Sequence, residues 1–176
     1  MTKSRLSPDK WVSAGFDALV ASGPAALAAE PLARALGSTK GSFYWHFKDV
    51  PAFHAALLDT WQARALQQVM DAVSASGEAE KRLRDFGQSV LADPVEPKLR
   101  AWAQSNDQTA QVLADVDTER LHLLGRLLTT LGLGNPDFAR ALQATLIGLP
   151  LLDGTSGTPP DGGPFGTLVD TILALD

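Results

Sequence analysis

The 176-residue chain has no cysteine. That excludes disulfides, thiol nucleophiles and thiolate metal sites. It has three histidines, His46, His54 and His122, too scattered for a two-histidine helical metal motif. No apolar run approaches the roughly 18 residues that a membrane span needs, so no membrane partner is expected. The opening MTKSRLSPDK is basic, but no apolar stretch follows and no signal peptide is read. A bacterial cytoplasmic setting fits. No credible Ser-His-Asp set, carboxylate pair or Gly-rich phosphate loop occurs. Asp115, Asp117 and Glu119 stand two apart, which does not focus them on one helical face, and they read as solvated. An enzyme is not expected, and no metal or cofactor is implied.

What is present is enough apolar material, 45% of residues, to bury a core in one domain or two small continuous ones. Charge is unevenly placed. Residues 1–50 hold six Lys/Arg and four Asp/Glu, net +2; the remaining nine and sixteen leave residues 51–176 at net −7. A mildly basic head on an acidic body is compatible with a head that meets phosphates.

Helical signals run along the whole chain. Ser7-Pro8-Asp9 reads as a helix start, and Trp11, Ala14, Gly15, Ala18 and Leu19 recur on one face up to Gly23-Pro24. A short helix is expected over 29–36, with Ala28 at the N-cap, a Leu27–Leu32 staple and Gly37 as its stop. Another begins near Ser38/Thr39. Asp49 is a good N-cap for a long helix to about Ala75, carrying Phe53, Leu57, Leu58, Trp61, Leu66 and Val69. Further helices are expected over 79–91, after a break at Pro94 and Pro97, over 107–132, over 136–149 with Pro150 ending or kinking it, and over 165–175. Residues 153–164, DGTSGTPPDGGP, have only loop chemistry and are expected to be mobile. With no strand alternation and no repeat, the fold class is all-α.

The stretch STKGSFYWHFKD, residues 38–49, crowds Phe43, Tyr44, Trp45, His46 and Phe47 together. Helical spacing puts Phe43 and Phe47 on one face, assigned to a core. Lys40, Ser42 and Tyr44 fall on other sides. The first turn offers free N–H groups beside hydroxyls, a lysine and a phenol, a surface suited to phosphate. Gly41 has no side chain to hold a backbone or a thymine methyl away. A second helix presented in this way after a tight turn docks in the DNA major groove.

LAAEPLARALGSTKGSFYWHFKD resembles the DNA-binding head of the TetR (tetracycline-repressor-like) family, through LARALG and then TKGSFYWHF behind a first helix ending in Gly. The likeness is good over about residues 7–60. It is looser in the body, where RAWAQSNDQTAQVLADVDTERLHLLGRLLTTLG resembles a middle portion of some members. The resemblance implies an all-helical homodimer, with a head at 1–48 and an effector-binding and dimerisation body at 49–176. It implies a ligand-responsive regulator, a repressor released from a roughly palindromic operator in double-stranded DNA by a small effector. It places Thr39, Lys40, Gly41 and Ser42 at the groove and Tyr44, Trp45 and His46 on backbone phosphate. Lys48 lies near phosphate too, with Arg5 a further candidate. Two positions depart from the pattern: Val50 stands where a basic residue is common, and Ser38 replaces a usual aliphatic residue, loosening the turn or serving as an N-cap. Val50 and the net acidity leave open a helical dimerisation module that has lost DNA binding.

The last two helices are the expected dimer surface. Trp61, Phe86 and Trp102 are large residues on helices able to enclose a cavity, and each also reads as plain core; His122 joins them on an otherwise apolar face. An apolar or aromatic effector is expected from such a lining.

Overall fold

The computed structural model describes residues 6–153 and 163–175. Among them every regular element is helical: α1 (Pro8–Ser22), a 3₁₀ turn (Pro24–Ala26), α2 (Ala29–Ala35), α3 (Lys40–His46), α4 (Val50–Ser74), α5 (Ala79–Leu91), α6 (Glu96–Ala103), α7 (Asp107–Thr130), α8 (Pro136–Asp153) and α9 (Gly163–Leu173). Arg5 and most of the 153–164 loop segment lie outside the described residues. No described helix is long and apolar enough to cross a membrane.

The helix starts follow cap chemistry. Thr39, Asp49 and Asn106 each sit extended and accept the backbone N–H three residues on, opening α3, α4 and α7. Ser7 occupies the N-cap of α1 but its hydroxyl makes no cap bond; Pro8 has no N–H to offer, and the Lys10 N–H donates to the Ser7 carbonyl at 3.1 Å instead. The buried face of α1 is Trp11, Val12, Gly15, Phe16 and Leu19. Ala14 and Ala18, expected on it, lie at its edge. Val12 and Phe16 remove more apolar area from water, so the stripe turns towards them. Pro97 does not break the chain; it lies in the first turn of α6, where its missing N–H costs nothing. Pro150 does not end α8, which runs on to Asp153.

Two cores share α4. The first joins Trp11, Leu19, Leu32, Phe43 and Phe47 of α1–α3 to Phe53, Leu57 and Trp61 of α4, Trp102 of α6 and Val116 of α7. The second gathers Val69 of α4 with Phe86 of α5, Leu124 of α7, Leu142 and Leu146 of α8, and Phe165 and Val169 of α9. The expected apolar lines of α8 and α9 are therefore spent inside this chain. Any partner surface must use their other faces. Two glycines permit close approach: a Cβ on Gly15 would lie 2.7 Å from Leu57 and Phe53 of α4, and one on Gly87 of α5 would overlap the Phe165 ring.

A buried ionic cluster ties α6 to α7. Arg120 and Glu96 are 2% and 4% exposed. Arg120 Nη1 donates to both Glu96 oxygens at 2.9 and 2.8 Å. Arg100 Nη2 donates to Glu96 and to Asp117, each at 2.7 Å. Burial works against the Arg100 charge, but Asp117 and Glu96 outweigh it and hold its pKa above the usual range. Asp117 is thus a structural acid, not a solvated one as its spacing suggested. Gln143 of α8 donates to its carbonyl at 2.9 Å.

Removing one partner of a buried pair strands the other charge. Glu96→Met strands Arg120, which pairs with no other carboxylate among the described residues, whereas Arg100 keeps Asp117; it is expected to lower unfolding free energy by about 3 kcal/mol or more. Adding Arg120→Met should recover most of it, because it removes the stranded charge and, with it, two buried side-chain nitrogens, Nε and Nη2, that have no acceptor among the described residues. Urea unfolding of the two variants measures both.

Candidate nucleic-acid interface

The turn between α2 and α3 is closed by its own backbone. Gly37 has φ +56°, in the left-handed region that glycine enters freely. The N–H of Ser38 donates to Ala33 O at 2.8 Å and that of Gly37 to Arg34 O at 3.2 Å, ending α2. Thr39 then turns extended and caps α3, its Oγ1 accepting from the Ser42 N–H at 3.2 Å. Ser38 is therefore not the cap.

α3 has seven residues and one buried position, Phe43. Its ring lies 5.4 Å from Trp11 and 5.3 Å from each of Tyr44, Phe47 and Phe53. With Phe43 and Phe47 inward, the rest is forced out. Thr39, Lys40, Gly41 and Lys48 are exposed; Ser42 and His46 are half-buried. Tyr44 is 51% and Trp45 65% exposed, large values for aromatic side chains. Trp45 stands edge-on to His46, ring centres 5.0 Å apart. All eight expected contact residues thus lie on one short segment, six of them exposed.

One acid enters this basic surface. Glu30 of α2 pairs with Lys40 at 2.7 Å and with Arg34 at 3.4 Å, every partner more than half exposed. The hydrogen bond and charge of Lys40 hold the Glu30 carboxyl below the ordinary carboxylate range, and Glu30 in turn raises Lys40. The Glu30–Arg34 spacing is legible in the sequence as an i,i+4 pair. The reach to Lys40 across the turn is not.

The four residues expected around an effector are not gathered around one cavity. Trp61 is buried, its Nε1 donating to Asp93 Oδ2 at 2.8 Å. Trp102 is buried edge-on to His54, centres 5.0 Å apart, and His54 Nε2 donates to Leu27 O at 2.8 Å. Phe86 belongs to the second core, beside a groove of about 230 Å³ between α4 and α5. His122 is exposed and lines a separate cleft of about 560 Å³ between α7 and α8.

No protein-family model and no curated protein matches the chain. Solved structures do. A transcriptional regulator from Rhodococcus sp. Rha1 is 21% identical, with 97% of this chain and 95% of that one covered at a TM-score of 0.79. A protein assigned to the TetR family of transcriptional regulators, from Rhodococcus sp., is 17% identical over 96% and 97%, TM-score 0.75. SmeT, the repressor of the Stenotrophomonas maltophilia multidrug efflux pump SmeDEF, is 19% identical over 97% and 90%, TM-score 0.69. The likeness spans head and body together, and the chain carries the fold of the TetR family of transcriptional regulators.

Proposed function

We propose that the chain is a DNA-binding transcriptional regulator, a repressor whose hold on a palindromic operator is released by a small effector. The observation that carries this reading is the outward face of α3. Lys40, Tyr44, Trp45 and Lys48 stand in solvent on a segment whose other face is anchored by Phe43. Thr39 to Ser42 meet base edges in the major groove, and Tyr44 to His46 and Lys48 meet phosphate. Two such heads read half-sites about 34–36 Å apart, which requires a symmetric dimer. An effector acts by favouring a body conformation that spaces the heads wrongly. Repression is supported by the likeness to SmeT, itself a repressor.

Loss of DNA binding, the competing reading, leans on Val50. That side chain is half-buried against the first core and cannot serve a phosphate. Lys48, exposed two residues earlier, supplies the charge instead.

The dimer surface is the outer face of α8, where Ala141, Ala144, Gly148 and Leu152 align at helical spacing. Leu152 is 75% exposed, and a Cβ on Gly148 would meet nothing within 4 Å. This leaves room for a second helix to approach closely.

Lys40→Ala with Tyr44→Phe is expected to weaken duplex binding and to lower the slope of log affinity against log salt by about 1. Glu30→Gln, which frees Lys40, should shift affinity the other way. Gel-shift titrations on flanking genomic DNA at several salt concentrations check both; unchanged affinity in the first variant rejects the contact assignment. Separately, Ala144→Glu places a charge on the pairing face. Sedimentation should show the parent as a dimer and this variant as a monomer with melting temperature little changed.

A further inference from the structure

The body is acidic, yet two of its arginines are unused. Arg64 lies over the Phe16 ring, Arg82 donates to the carbonyls of Ala72 and Val73, and Arg84, Arg100 and Arg120 pair with carboxylates. Arg126 and Arg140 have no such partner among the described residues, and both line the cleft of about 560 Å³ between the second half of α7 and the start of α8. No aspartate or glutamate lines that cleft. Its apolar walls include Leu121, Leu128 and Leu133. The volume falls within the roughly 300–1,000 Å³ usual for small-molecule sites.

A glycine on its lining points the same way. Gly125 lies well inside α7, where glycine costs about 1 kcal/mol relative to alanine. At Gly15 and Gly87 the missing Cβ is explained by a neighbour that would collide with it. At Gly125 an added Cβ would meet nothing within 4 Å. Packing within the chain gives no reason for this residue, and the space above it stays open.

We infer that this cleft binds a small amphipathic organic anion, an aryl or acyl carboxylate or sulfonate. Arg126 and Arg140 hold the acid group, since guanidinium forks match such oxygens two bonds at a time. The apolar part lies over Gly125 against the leucines, and His122 stands beside it on the lining. This adds an acid group to the apolar or aromatic ligand expected from the sequence, in a cleft that contains only one of the four expected residues, His122. A second copy is a poorer occupant, because a two-fold contact through this cleft would set cation against cation. Such binding does not depend on the chain being a regulator.

The test is fluorescence titration of the full chain with 8-anilinonaphthalene-1-sulfonate and with its uncharged relative N-phenyl-1-naphthylamine. In Arg126→Gln with Arg140→Gln, the affinity for the sulfonate should fall about tenfold or more. The uncharged probe should change less than about twofold, because the apolar walls are intact. Gly125→Leu fills the cleft and should abolish both signals. Leucine is the better helix former, so the melting temperature of this variant should not fall. Sulfonate affinity unchanged in both variants overturns the assignment. So does a loss of signal that tracks a changed sedimentation coefficient, which would make the cleft a contact between copies.

Discussion

Phe43 is the side chain on which the head depends. A helix of seven residues is too short to hold itself in water. α3 stays helical and keeps its orientation because this ring, with no exposed surface, is wedged among Trp11, Tyr44, Phe47 and Phe53. Fixing one face of so small a helix fixes the other. The exposure of Lys40, Tyr44 and Trp45 is then a geometric consequence of burying Phe43. No separate force is needed to turn the polar tips outward.

The same packing reaches beyond the head. Phe53 lies in the ring cluster and also begins the buried stripe of α4, which passes from the first core to the second at Val69. Two side-chain links reinforce the route. His54 joins the Leu27 carbonyl of the head to Trp102 of α6, and Trp61 joins α4 to Asp93 in the α5–α6 connection. Asp93 also accepts the Val95 N–H at 2.8 Å, so its carboxylate fastens the entry to α6 as well. A shift of α6 has solid matter between it and the loop that carries α2 and α3.

Much of this was legible in the sequence because it is local. The Phe43/Phe47 spacing, a helix start near Ser38/Thr39, the cap at Asp49 and the glycine stop at Gly37 all act within a few residues. What stayed hidden is non-local. Glu30 meets Lys40 across a turn whose geometry must be known first. Glu96 and Arg120 stand 24 residues apart, and nothing in either neighbourhood announces a buried pair. The bulky side chains expected around a ligand mostly fill the cores instead, since Trp61, Phe86 and Trp102 gain more by leaving water than by lining a void. The open cleft is marked by plainer residues, a glycine and two arginines, which carry no periodic signal. Pro97 was misread because a proline's effect depends on which turn it occupies, and helix boundaries are the least certain part of a sequence reading.

Phe165 of α9 sits in the notch that Gly87 leaves in α5. The final helix is therefore seated on the body of its own chain. Two such molecules can associate as finished solids, without exchanging segments.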